Sequence, residues 1–235
     1  LSTQEQGLRP SQPRILAIIP AYNEATRIKP VITTAAGFFP VLVVDDGSAD
    51  ETASVARAAG AEVLVQEPNQ GKGAALKAGF EYALAQDFEA VITLDADGQH
   101  DPAEIPLFIE TYTASAPDLV IGKRNFDGMP PLRRVANTLG QATFSWAIGQ
   151  NVPDNQSGYR LLSRRLMAGL GEGVEQGFEF ELEMIVTCIR LGYRLESVPI
   201  RTIYAGETSH INNRHHLTNF LRVTWQTRQA RQRNP

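Results

Sequence analysis

Residues 14–48 read RILAIIPAYNEATRIKPVITTAAGFFPVLVVDDGS, and this stretch decides the architecture. Arg14–Pro20 and Val41–Asp45 are short, almost wholly apolar runs, the pattern of strands buried on both faces. Between them lies a helical pattern that Asn23 can cap and that runs to about Ala36. A strand, a crossover helix and a second strand of this kind make a parallel βαβ unit. The alternation continues outward. Glu62–Gln66, Ala90–Leu94 and Leu119–Gly122 read as further strands. Ser48–Glu51 has capping-box spacing, and Gly60 is placed to end the helix that follows. Another helix spans about Gly71 to Ala85, and Asp101-Pro102, with Glu104 three residues after the aspartate, opens one more. Beyond Gly122 come a Gly/Pro-rich loop to Pro131, a helix to about Gly149 and a turn region, Asn151–Gly158. That turn leads into a helix-rich stretch, and Tyr193–Tyr204 is extended. The expectation is an α/β fold, a doubly wound, mostly parallel sheet flanked by helices in a single domain over residues 14–212.

The flanks differ from this core. Residues 1–13 are polar, contain Pro10 and Pro13, lack the apolar core of a signal peptide and read as a flexible arm. Residues 213–235 read as a basic amphipathic helix and tail. Leu217, Phe220, Leu221 and Thr224 fall on one helical face with Trp225 beside it, and no acidic residue follows Glu207. Such a helix suits a membrane interface, or packs on the domain. Net charge is −4, which speaks against a dedicated nucleic-acid binder. No run approaches the roughly 20 apolar residues of a membrane span. Cys188, the single cysteine, sits in an apolar helix and reads as a buried, inert thiol.

In open parallel sheets ligands bind beyond the carboxyl ends of the strands. Three polar clusters stand at such ends: Pro20–Glu24, Asp45–Ser48 and Asp95–His100. Asp95 and Asp97 are two apart in an extended segment, so both carboxylates can face one hard cation, Mg²⁺ or Mn²⁺, with Gln99 adding an amide oxygen or fixing a water. Of Asp45 and Asp46, one can hold the loop while the other contacts a base or ribose. Lys72, in Asn69–Gly73 at a helix start, is either a phosphate contact or a solvated lysine.

The set PAYNE, VVDDGS, GKGAAL, LDADGQHDP and GKRN, in that order and spacing, resembles family 2 glycosyltransferases of the GT-A fold. Within them it is most similar to dolichol- and polyprenol-phosphate mannose or glucose synthases. DNQSGYR at Asp154–Arg160, FELE at Phe180–Glu183 and YAGETSHI at Tyr204–Ile211 extend the likeness. The resemblance implies a nucleotide-sugar pocket (GDP-mannose or UDP-glucose) from Pro20, Tyr22, Glu24, Val44 and Asp46. It implies metal and diphosphate binding by Asp95, Asp97 and Gln99, with Ala96 between them. Arg124 and Arg133 match basic positions near an acceptor phosphate. Arg201 and His210 lie where further cations are expected, although many relatives carry lysine in place of His210, and Arg214 can take over part of that role.

The implied reaction is metal-dependent, inverting transfer of a hexose to a polyprenyl or dolichyl phosphate. Such an acceptor is already an anion and needs cations rather than a strong base, which Arg124, Arg133, Arg134, Arg201 and Arg214 supply as a cluster. A soluble saccharide or protein hydroxyl acceptor would need a carboxylate base, for which Asp154 and Glu181 are the candidates. A catalytically silent nucleotide-sugar sensor is the remaining alternative. The dinucleotide glycine fingerprint does not follow the first strand, and Gly71-Lys72-Gly73 lacks Walker spacing, so a dehydrogenase and a P-loop NTPase are excluded. The expected location is the cytoplasm at the inner face of a membrane, reached by peripheral contact or through a membrane-protein partner, since the chain ends without the membrane helices many family members carry.

Overall fold

The computed structural model describes residues 13–124, 131–170 and 180–201, and residues 222, 224, 225, 228 and 229 of the tail; for residues 131–136 the description stops at the backbone. One mixed seven-stranded sheet runs through the described residues in the order β3-β2-β1-β4-β6-β5-β7. Its strands are β1 (Ile15–Ala21), β2 (Val41–Asp45), β3 (Glu62–Val65), β4 (Ala90–Thr93), β5 (Leu119–Arg124), β6 (Arg160–Ser163) and β7 (Leu195–Ile200). The helices are α1 (Ile28–Ala35), α2 (Thr52–Ala58), α3 (Lys72–Ala85), α4 (Ile105–Ser115), α5 (Pro131–Ile148), α6 (Arg164–Leu170) and α7 (Phe180–Arg190).

Two apolar layers sandwich the sheet because side chains alternate across its faces. Leu16, Ile18, Leu42 and Val44 point into the layer shared with α3 and α7. Ile15, Ala17, Ile19 and Val43 point into the other, with α1 and Phe108. The central strands are buried throughout, as their sequences require, whereas β3 is the exposed edge and corrects the expectation that it is buried on both faces. Cys188 lies in the core on α7, and burial pushes its thiol up to about 12.

Three local expectations are corrected. Asn23 does not cap α1; it has φ 56, its N–H donates to Ser48 Oγ at 2.9 Å and its Oδ1 accepts the Ala49 N–H at 2.8 Å. It staples two strand-end loops instead. Ser48 does not cap α2 either; Asp50 accepts the Thr52 N–H at 3.0 Å. The Asp101 cap stands, its Oδ1 accepting from Ala103 N at 3.0 Å over a short 3-10 turn, Pro102–Glu104, that leads into α4.

The third correction matters most. The stretch after Gly158 opens with β6, a strand, not a helix. β6 lies between β4 and β5 and runs antiparallel to both, pairing Thr93 and Ile121 with Arg160. Its amino end therefore meets the carboxyl ends of its neighbours. Asp154–Gly158 is delivered to the same sheet edge as the three polar clusters, and Thr93 Oγ1 pins it by donating to Gly158 O at 2.7 Å. No helix among the described residues is long and apolar enough to cross a membrane.

Candidate active site

The edge is assembled by backbone first. Asp45 Oδ1 accepts the Ser48 N–H at 2.9 Å, closing the turn at which Gly47 takes φ 75. Asp46 reaches across to the start of α3, its two oxygens accepting the Gln70 N–H at 2.8 Å and the Gly71 N–H at 2.7 Å. Both buried carboxylates thus hold loops. The Asp46 clamp fixes where α3 begins and so where Lys72 stands. Val44 points into the core and stands in register with Pro20 on β1. Tyr22, at the end of β1, is 51% exposed. Glu24 is paired with Arg27 at 2.7 Å.

At the centre lies a charge cluster that joins three distant segments. Lys72 Nζ is 2.6 Å from Asp95 Oδ1 and 2.9 Å from Glu181 Oε1. Lys72 is neither a solvated lysine nor free to extend elsewhere without releasing these carboxylates, and Glu181 is buried, not on a solvated face. Burial alone would lower the Lys72 pKa, but Asp95 and Glu181 together raise it above the usual lysine range. Burial alone would raise the Asp95 carboxyl; the Lys72 ammonium outweighs it and holds the group down to about 2. Gly158 closes over this pair, and a Cβ there would lie 2.8 Å from both Asp95 oxygens and 2.9 Å from Lys72 Nζ.

Asp97 is oriented by Gln99, whose N–H and Nε2 donate to its two oxygens, each at 2.9 Å. Asp95 and Asp97 are hard oxygen donors suited to Mg²⁺ or Mn²⁺, and Gln99 serves to position Asp97. No group of three His, Cys, Asp or Glu side chains converges among the described residues. The residues fit an ion held by one or two carboxylates and completed by substrate phosphates, the ordinary magnesium arrangement.

A second pair stands at the end of β5. Arg124 Nε and one terminal nitrogen donate to Asp154 Oδ2 and Oδ1 at 2.8 and 3.0 Å, a bidentate ion pair, and the Arg124 N–H donates to Oδ2 at 3.2 Å. Asp154 is buried and both its oxygens are engaged. Arg201, at the end of β7, has an 80% exposed side chain and pairs through Nε with Glu104 at 3.3 Å. Arg133 and Arg134 lie on α5, but their side chains, together with His210 and Arg214, fall outside the described residues.

Two residues that the sequence reading passed over shape the site. Arg160 is fully buried and donates to the carbonyls of Ser157 at 2.7 Å and Asn155 at 3.2 Å and to that of Glu181, tying the loop before β6 to the start of α7. Burial lowers its pKa to about 10, with Glu181 and Asp154 pulling the other way, so it remains a cation at neutral pH. His100 is buried near Tyr159, with ring centroids 5.2 Å apart, and its Nδ1 accepts the Asp95 N–H at 3.3 Å. An accepting Nδ1 carries no proton, so the ring is neutral. Burial drives its pKa down to about 4 against the pull of Asp95, and its 3.6 Å approach to Asp95 Oδ2 is not an ion pair. Both residues stand inside quoted motifs, LDADGQHDP and DNQSGYR, the one sequence signal that could have found them.

The His100 shift has a stability consequence. The native ring stays neutral to about pH 4 while the unfolded ring protonates near 6.5. Its contribution is therefore fully present above pH 6.5 and lost as pH falls from 6.5 to about 4, an effect of about 3 kcal/mol. Thermal melts of EDTA-treated protein across this window are expected to show the fall. His100→Asn, which retains an acceptor but cannot titrate, is expected to flatten the slope; an unchanged slope assigns the effect to other groups.

The model of the family described as Glycosyl transferase family 2 matches residues 16–171, more than half of the chain. The chain is 32% identical over 202 residues to an undecaprenyl-phosphate mannosyltransferase of Micrococcus luteus, covering 80% of this chain and 82% of that protein. It is 31% identical over 213 residues to a polyprenol monophosphomannose synthase of Mycolicibacterium smegmatis, covering 82% and 78%. Among solved structures, glucosyl-3-phosphoglycerate synthase from Mycobacterium tuberculosis with Mn²⁺ and UDP-glucose superposes with a TM-score of 0.73 at 23% identity, over 92% of this chain and 79% of that one. That likeness bears on the fold, which is of the GT-A type.

Proposed function

The chain belongs to glycosyl transferase family 2, and within that family we propose that it transfers a hexose from a nucleotide sugar to a polyprenyl phosphate. One observation carries the choice of acceptor. The two candidate bases each face a cation: Asp154 is held by Arg124, and Glu181 stands against Lys72. A hydroxyl acceptor needs a proton removed. A phosphate monoester arrives as an anion and needs alignment and charge neutralisation instead. The names of the Micrococcus and Mycolicibacterium relatives support the same acceptor class.

In this reading Asp97 and Asp95 hold Mg²⁺ or Mn²⁺. When bound, that ion neutralises charge growing on the leaving diphosphate, more in the transition state than in the ground state. Lys72 keeps Asp95 ionised and in place. Tyr22 and the backbone of the first two strand ends face the base and ribose, GDP or UDP. Glu181 Oε2, Asn155 Nδ2 and Ser157 Oγ are buried without a hydrogen-bond partner, which suits them to the hydroxyls of a sugar. Arg124, with Arg133, Arg134, Arg201, His210 and Arg214, is assigned to the acceptor phosphate. The name of the solved neighbour supplies a second reading, a small soluble phosphate such as phosphoglycerate in place of the lipid.

Incubation with GDP-mannose, UDP-glucose and UDP-N-acetylglucosamine, each with a short-chain polyprenyl phosphate, 3-phosphoglycerate or a free saccharide, followed by mass analysis, tests this directly. Product from the polyprenyl phosphate is expected, and product only from the saccharide overturns the reading. Arg124→Ala is expected to lower use of the polyprenyl phosphate about a hundredfold while nucleotide affinity holds. The substitution also strands Asp154, so Arg124→Ala/Asp154→Asn is the control; an equal fall in nucleotide affinity in both variants places Arg124 at the donor instead.

A further inference from the structure

The most exposed large hydrophobic side chains of the described residues are Leu139 and Trp225, each at 62%, and Trp146 at 58%. They belong to two elements that meet. Leu139 and Trp146 are seven residues apart on α5 and therefore share a helical face, on which Ala142 and Thr143 are also exposed. Phe144, Ala147 and Ile148 are buried from the same helix. In the tail, Thr224 is buried while Trp225 is exposed, so the tail presents a docked side and an open side. The Arg228 guanidinium lies 4.7 Å over the Trp146 ring and joins the two elements.

The two elements that carry this face contribute charge of one sign. α5 contains Arg133 and Arg134 and no acidic residue, and five arginines and no acid follow Glu207. An apolar strip whose two elements contribute arginines and no acid, with Arg228 placed against Trp146, complements an anionic lipid interface. There tryptophan rings settle at head-group depth, apolar side chains enter below them and arginines meet phosphates. A protein partner chosen by this surface would have to supply both a matching apolar strip and an acidic rim. A lipid surface supplies both at once.

We propose that α5 and the tail helix together form the face by which the chain sits on an anionic membrane, with Leu139, Trp146 and Trp225 entering the head-group layer and Arg228 beside them. The inference deepens the lipid-phosphate reading and rests on it. α5 begins at Pro131, seven residues after Arg124, so the docking face and the acceptor end of the site are joined by a short length of chain. Of the apolar stripe expected on the tail, Thr224 is the described residue and it is buried; the open side carries Trp225, and α5 supplies Leu139 and Trp146.

The chain has two tryptophans, and both lie on this face, so intrinsic fluorescence reports on it alone. The full chain is titrated with phosphatidylcholine vesicles with and without phosphatidylglycerol. Phosphatidylglycerol vesicles are expected to shift the emission to the blue and shield it from acrylamide, with both effects weakening in salt. Leu139→Gln combined with Trp225→Gln is expected to lower partition at least about tenfold. The same variant should transfer sugar to a short-chain polyprenyl phosphate in vesicle-free buffer as the parent does. Unchanged emission with phosphatidylglycerol vesicles, equal partition of variant and parent, or a blue shift that grows with protein concentration without vesicles overturns the proposal; the last would assign the face to a second copy of the chain. Failure of the lipid-phosphate reading registers separately, as a chain that binds vesicles yet transfers nothing to the short-chain acceptor.

Discussion

Asp97→Asn is expected to lower the turnover number by roughly a thousandfold, equivalent to about 4 kcal/mol of transition-state stabilisation. Its thermal midpoint should remain near that of the parent. The asparagine retains an oxygen for the Gln99 N–H, which Asp97 Oδ1 accepts at 2.9 Å, so the loop keeps its shape. What it loses is the negative charge, and with it the acceptor for Gln99 Nε2 unless the Gln99 amide turns over. The loss should therefore appear as weakened Mn²⁺ binding by calorimetry and as a matching fall in rate at fixed metal. Undiminished activity of the parent in EDTA would remove the metal from the account altogether.

Gly158→Ala is the second large effect, and it separates catalysis from stability. The added methyl meets both Asp95 carboxylate oxygens at 2.8 Å and Lys72 Nζ at 2.9 Å. These are the far ends of side chains, which can swing aside at small cost, so the thermal midpoint should move by only a few degrees. The displaced groups are the ones the chemistry requires in place, and a shift of about 1 Å at such atoms costs about a hundredfold in rate. Steady-state kinetics on the folded variant should show that loss with weaker metal binding. A variant with parental kinetics would show that Asp95 and Lys72 can move without consequence, and would take the central charge cluster out of the mechanism.

These two experiments probe features of different origin. Asp97 was legible from the chain alone. Ala90–Leu94 is an apolar run of strand length, and the polar residues after it must lie at a strand end wherever the strand sits in the sheet. The same holds for Asp45 and Asp46 after Val41–Val44, and for Tyr22 and Glu24 after β1. Local pattern and turn chemistry specify such positions without reference to the rest of the molecule. Even here the capping roles of Asn23 and Ser48 were misread, because short polar side chains in adjacent loops bond to each other as readily as to a helix start.

The chain by itself thus determined the alternating strands and helices, the carboxylate-bearing strand ends and the motif set that marks the family. Tertiary structure alone decided how the charges pair. The contacts of Lys72 with Asp95 and Glu181 and of Arg124 with Asp154 span from 23 to 109 residues of sequence. They exist because β6 reverses between β4 and β5 and because α3 and α7 both begin at the edge where β4 ends. Four residues, Arg160–Ser163, carry that reversal. A strand so short has no periodicity to distinguish it from the helical residues after it; pairing with Thr93 and Ile121 on either side makes it a strand, and those partners exist only once the sheet has formed.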